Sequence, residues 1–167
     1  CYPNPIDAAI CNHTRLTLAG WKRLDDVPYD FTRRRLSVLA TDGTHRVMVS
    51  KGAVRTVVDA CGSADLDGAV VPIGEVERRI RDLQTSFETH GFRTLAVAIR
   101  DMPEGTSTLH REDERDMRFL GLLVLYDPPK DGVDLAVASL AKLGVSFKMI
   151  TGDSTGIAEQ VARQVGL

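Results

Sequence analysis

Apolar and polar positions alternate tightly in the first half of the chain. Leu36-Ser37-Val38-Leu39-Ala40 and Arg46-Val47-Met48-Val49-Ser50 read as two strands, with Asp42-Gly43 between them as a hairpin turn. Before them, Asn4-Pro5-Ile6-Asp7 opens a helix: Asn4 can cap it, Pro5 suits its first position, and Asp7 places negative charge in the first turn. A polar stretch connects this helix to the hairpin. Lys51-Gly52 closes the return strand, and Val54, Val57, Val58 and Cys61 then recur at helical spacing. Asp67-Gly68 is a second turn before a short Val70-Val71 strand.

Val76, Ile80, Leu83 and Phe87 mark an amphipathic helix stopped by Gly91. Thr94 to Ile99 and Phe119 to Tyr126 are strand-like, separated by a charged, loop-like segment from Asp101 to Asp116. After Asp127-Pro128-Pro129-Lys130 the pattern changes. Val133, Val137, Leu140 and Leu143 predict a helix ending at Gly144. Val145 to Ile150 predicts a buried strand, Thr151-Gly152-Asp153 a turn, and Ile157 to Val165 another helix. This α-β-α order belongs to a parallel, doubly wound sheet, whereas the first part is mixed and hairpin-rich. Consecutive prolines stiffen the joint, because each fixes its own φ and restricts the residue before it. The chain therefore divides into residues 1–126, a hinge at 127–130, and residues 131–167.

Composition narrows the function classes. A hydrophobic fraction of 43% supplies a packed core, and a net charge of −2 gives no basic field to hold nucleic acid or an anionic membrane. Cys1, Cys11 and Cys61 form no C-x-x-C pair, so neither a disulfide framework nor a zinc site is indicated. The four histidines show no metal-ligand spacing and read as surface residues. The longest apolar run, Phe119 to Tyr126, is far short of the roughly 20 residues that span a bilayer. The opening Cys-Tyr-Pro-Asn-Pro, without Met, suggests a segment of something longer.

Four places could carry chemistry. Thr151-Gly152-Asp153 sits where open α/β sheets hold ligands, at a strand's carboxyl end before a helix, although Asp153, Ser154 or Thr155 could simply cap that helix. Phe31-Thr32-Arg33-Arg34-Arg35 sets an aromatic face able to stack on a base beside cations able to meet phosphate; a core Phe before a solvated basic stretch is the alternative. Lys51-Gly52-Ala53 joins a strand to a helix, with Gly52 permitting close approach and Lys51 supplying a charge, or else is an ordinary tight turn. Arg93, after Gly91 at a strand start, is equally ambiguous alone. No Walker-type G-x-x-x-x-G-K-[ST] and no G-x-G-x-x-G occurs.

Taken in order, these segments resemble the P-type ATPases. Asn4 to Ile10 looks like the helix that offers a carboxylate to the adenine pocket. Phe31 with Arg33 to Arg35, then Leu36-Ser37-Val38, is similar to the family's adenine-stacking Phe and its basic neighbours. Lys51-Gly52-Ala53 matches the start of K-G-A-P-E, and Gly91-Phe92-Arg93-Thr94-Leu95-Ala96 resembles G-x-R-x-L-A. Asp127-Pro128-Pro129-Lys130 resembles the hinge D-P-P-[RK], and Met149 to Asp153 the phosphorylation-domain T-G-D. Val54-Arg55 replaces the usual Pro-Glu. That ending, with D-F-T-R-R-R-L-S-V before it and I-T-G-D-S after, looks most like the magnesium-transporting branch. The D-K-T-G-T segment with the phosphorylated Asp and the later G-D-G-x-N-D segment do not occur.

The resemblance implies an α/β fragment: an α+β nucleotide-binding domain with a mixed, largely antiparallel sheet, then a partial Rossmann-like, haloacid-dehalogenase-type phosphorylation domain. It implies a parent on the cytoplasmic face of a membrane that uses ATP and Mg2+ to form an aspartyl-phosphate and move a cation. Its partners are ATP and the remaining phosphorylation, actuator and membrane domains of the same polypeptide. Phe31 would stack on adenine, Asp7 line the base pocket, and Lys51, Gly52 and Ala53 form its floor. Arg33, Arg34, Arg35 and Arg93 would neutralise phosphate, and Asp127 and Lys130 would sit at the hinge. Thr151, Gly152 and Asp153 would lie near the transferred phosphoryl group. The rivals are a soluble haloacid-dehalogenase-type phosphohydrolase, which needs a nucleophilic D-x-D near its start, and a non-catalytic nucleotide-binding module.

Overall fold

The structure, a computed structural model, describes residues 5–13, 18–152 and 155–167. Asn4, Asp153 and Ser154 lie outside the described residues. The chain is an α/β protein whose described strands form one seven-stranded sheet in the order β1-β2-β3-β6-β7-β4-β5. The strands are β1 (Lys22–Val27), β2 (Arg35–Thr41), β3 (Arg46–Gly52), β4 (Cys61–Leu66), β5 (Ala69–Pro72), β6 (Arg93–Asp101) and β7 (Met117–Leu125). The helices are α1 (Pro5–His13), α2 (Val54–Val58), α3 (Ile73–Thr89), α4 (Val133–Lys142) and α5 (Thr155–Gln164). All neighbours pair antiparallel except β4 with β7.

The expected hairpin forms β2 and β3, with Ser37 opposite Ser50 and Leu39 opposite Met48. Strand alternation turns Leu39, Met48, Ala96 and Ala98 onto one face, where they are fully buried with α2 and α3. α2 is one short turn because its three valines, buried against the sheet, are β-branched and poor at extending a helix. Cys61, at helical spacing from them, instead starts β4. The segment from 102 to 116 crosses the same buried face: Leu109 joins the core, and its amide donates to the Asp25 carboxylate of β1 at 2.7 Å.

Two strands are not legible in the hydrophobic pattern. β1 is an edge strand with a bulge between Arg23 and Asp25, and only Val27 of its six residues is buried. β4 carries Gly62 and Asp65 and enters the sheet beside β7 through a register irregularity. The expected strand from Val145 to Ile150 does not form. Phe147 is 48% and Ile150 96% exposed, and among the described residues no strand lies alongside to complete its hydrogen bonds. α5 packs on α3: a Cβ added at Gly91 would come within 2.8 Å of Gln160 Cγ, and one at Gly156 within 3.3 Å of the Glu88 carbonyl. Among the described residues, no helix is long and apolar enough to cross a membrane.

Candidate functional site

Sheet register gathers the candidate residues at one end. Arg35, starting β2, pairs with Gly52, ending β3; Gly52 pairs with Ala96 near the start of β6; and Arg93 pairs with Leu125, ending β7. The loop carrying Phe31, the Lys51-Gly52-Ala53 turn, Arg93 and the Asp127 to Lys130 joint therefore share one end of the sheet. Lys51 and Val97 are cross-strand partners, and Arg93 shares a face of β6 with Val97 because side chains alternate. Arg93 lies four residues from Val97, about 13 Å at ~3.3 Å per residue. Lys51 and Arg93 thus project from the same face.

Phe31 is 88% exposed and meets Tyr29 edge-on, with ring centroids 5.6 Å apart at 86°. This excludes the core alternative for Phe31. Asp7 of α1 forms an ion pair with Lys51. Burial holds the Lys51 ammonium below its ordinary value, and the Asp7 carboxylate is the neighbouring group that favours its charged form. Gly52 allows a close approach, but by the chain's own backbone: a Cβ there would lie 2.3 Å from the Arg34 carbonyl and 2.5 Å from Arg35 Cβ. The Ala53 amide donates to that same carbonyl at 2.9 Å.

The three consecutive arginines divide. Arg33 Nη1 donates to both oxygens of Glu114 at 2.6 Å, and Arg35 Nε donates to Oε2 at 2.8 Å. Ser37 Oγ donates to Oε1 at 2.6 Å and shares a hydrogen bond with Ser50. Arg35 also donates to the Thr56 carbonyl at 2.6 Å. The Glu114 side chain is wholly buried. Burial works to raise its pKa, but the hydrogen bonds from Arg33, Ser37 and Arg35 outweigh that and hold it below the ordinary carboxylate range. Arg34 has a left-handed φ of 50° and is exposed.

Glu114 escaped the sequence reading, in which residues 101–116 are a charged, loop-like segment. One signal was available. Arg35, Ser37 and Leu39 alternate onto one face, so a cation enters a buried face and requires a buried carboxylate.

At the joint, Arg93 Nη1 and Asp127 Oδ2 are 3.1 Å apart. They line a pocket of about 320 Å³ with Pro128, Pro129, Met149, Thr151, Ile157, Ala158 and Val161. Arg93, Asp127 and Thr151 are thereby brought together. Lys130 and Gly152 are exposed beside this run, and Asp153 lies outside the described residues. Among the described residues, no three His, Cys, Asp or Glu groups come together to hold a metal ion.

An exposed aromatic ring, a carboxylate–lysine pair and arginines gather at one end of a mixed, largely antiparallel α/β sheet. The family profile described as P-type ATPase, cytoplasmic domain N, matches residues 5–132. Over 171 aligned residues the chain is 32% identical to the magnesium-transporting ATPase, P-type 1, of Escherichia coli (strain K12), covering 98% of this chain and 19% of that protein. It is 34% identical to the protein of the same description from Salmonella typhimurium (strain LT2), with the same coverage. It is 31% identical to the calcium-transporting ATPase lmo0841 of Listeria monocytogenes over 87% of this chain and 17% of that protein. The chain belongs to the P-type ATPase family, and it spans about a fifth of the length of these relatives.

Proposed function

We propose that this chain is the ATP-binding part of a cation-transporting P-type ATPase, with Mg2+ as the transported ion. The observation that carries the reading is the shared end of the sheet, where the loop before β2 with Phe31, the Lys51 turn after β3 and Arg93 at the start of β6 come together. Phe31 stacks on adenine, which suits an aromatic ring left almost wholly in solvent apart from its edge-on contact with Tyr29. Asp7 and Lys51 line the base pocket, with Gly52 and Ala53 as its floor. Of the basic run, Arg34 faces phosphate, because Arg33 and Arg35 are already engaged by Glu114. Arg93 takes the phosphate end, beside Asp127 and Thr151. A catalytic Mg2+ would enter with the nucleotide and would neutralise charge on its phosphates beside Arg93.

Residues 1–126 form the nucleotide-binding domain, 127–130 the hinge, and 131–167 part of the phosphorylation domain. Lys130, Thr151, Gly152 and Asp153 approach the transferred phosphoryl group when the domains close. In the whole protein an aspartate outside this chain is phosphorylated, membrane domains carry the ion, and this part lies on the cytoplasmic side.

Titration calorimetry tests the binding reading. The chain is expected to bind ATP more tightly than adenosine, and Arg93→Ala to narrow that difference while leaving adenosine affinity unchanged. Equal losses for both ligands would remove Arg93 from the phosphate end, and no heat with either ligand would sink the reading.

A further inference from the structure

We propose that Glu114 is a positioning residue for the nucleotide base, holding Phe31 in place from beneath the sheet. The inference rests on the reading of Phe31 as the base platform. With 88% of its surface in solvent, Phe31 has almost no packing of its own to hold it. Its position is set by the loop from Pro28 to Arg34, and that loop is tied down at two points.

The first tie is Arg33. Its guanidinium donates through Nη2 to the Pro28 carbonyl at 2.7 Å, through Nε to the Asp30 carboxylate, and through Nη1 to Glu114. It therefore grips the chain before Phe31 while belonging to the chain after it. Asp30 completes the loop by accepting from the amides of Thr32 at 2.9 Å and Arg33 at 2.7 Å, and the Arg34 amide returns to the Asp30 carbonyl at 2.8 Å. The second tie is the Ala53 amide on the Arg34 carbonyl at 2.9 Å, which locks the left-handed residue to the end of β3.

Of these groups, Glu114 is the one anchored in the core. It follows a single 3-10 turn at Arg111–Asp113 and accepts from Ser37, which in turn shares a hydrogen bond with Ser50, both serines being fully buried. A carboxylate with four hydrogen bonds from three residues is fixed in orientation, and its oxygens in turn fix Arg33. The base site thus depends on a residue 81 positions away from Arg33 in sequence. In this arrangement Arg33 serves the base, not the phosphates.

The test compares adenosine, ATP and inorganic tripolyphosphate on the whole chain by calorimetry, for the parent sequence, Phe31→Ala, Glu114→Gln, Arg33→Lys and the double variant Phe31→Ala/Glu114→Gln. Glu114→Gln keeps the volume but turns an amide N–H2 toward arginine donors. Arg33→Lys keeps a cation beside Glu114 while removing the fork, so it reports on the tie even if the glutamine variant does not fold. Both are expected to weaken adenosine and ATP by a factor approaching that of Phe31→Ala, about 5- to 150-fold, with tripolyphosphate unchanged. In the Phe31→Ala background, Glu114→Gln should add little further loss for adenosine, because the platform it positions is gone. Unchanged adenosine affinity in folded Arg33→Lys or Glu114→Gln, with Phe31→Ala still impaired, overturns the role of Glu114 and leaves the base platform standing. Selective loss of tripolyphosphate in Arg33→Lys also overturns it, by making Arg33 a phosphate ligand. If Phe31→Ala itself binds adenosine normally, the base platform falls and this inference falls with it.

Discussion

Replacing Phe31 by Ala separates a ligand platform from a structural aromatic, because the two roles predict opposite outcomes. The residue is 88% exposed, leaving about 12% of its surface to be lost from contact. An aromatic side chain buries about 150–250 Å² when fully enclosed, so roughly 20–30 Å² is at stake here, or about 0.5–0.8 kcal/mol at ~25 cal/mol per Å². The edge-on contact with Tyr29 adds about 0.5 kcal/mol, the low end for such pairs, because both rings face water. The total, about 1 kcal/mol, corresponds to a fall in Tm of roughly 2–4 °C for a chain of this size. A core Phe would lose about 3–5 kcal/mol. Binding should behave in the opposite way: lost base stacking of about 1–3 kcal/mol weakens ATP by about 5- to 150-fold. Thermal melts of the free chain and titrations with ATP on the same samples read both quantities. A Tm lowered by about 10 °C or more together with unchanged ATP affinity would refute the platform.

Acid sensitivity should trace to the buried carboxylate. The unfolded Glu114 takes up a proton near pH 4.3, whereas its folded pKa is lower. Its contribution to stability is therefore complete above that pH and is lost as pH falls through the folded pKa. Urea midpoints measured from pH 6 to pH 3 should fall more steeply for the parent chain than for Glu114→Gln, and parallel curves would rule this out. Cysteine reactivity should also divide. Cys61 is buried, donates to the Val57 carbonyl at 3.2 Å, and has its thiol pushed up to about 12 by burial, while Cys11 is exposed. Brief alkylation at pH 8 should label Cys11 and spare Cys61 until the chain is unfolded, as peptide mass mapping would read; early labelling of Cys61 would contradict the packing around α2.

The amino-acid order by itself determined the local elements whose signal is concentrated in a few residues. The β2–β3 hairpin followed from alternation around Asp42-Gly43, α3 from its apolar stripe, and α1 from Pro5 and Asp7 at its start. The family was legible because six short segments occur in a fixed order, which does not depend on knowing how the strands pair. Pairing itself was decided by tertiary structure. β1 and β4 carry too little apolar periodicity to declare themselves, and they are strands because a neighbour offers hydrogen bonds. Val145 to Ile150 has the composition of a buried strand, yet remains exposed where no strand lies beside it among the described residues. The arginine run shows the same limit in the candidate site. Three adjacent cations look equivalent along the chain, but alternation sends Arg35 toward the buried face, Arg33 closes its own loop, and both converge on a carboxylate some 80 residues away. Only Arg34, held with its φ at 50°, is left in solvent. A cation's partner is set by what the fold brings within about 3 Å of it, and sequence separation carries no information about that distance.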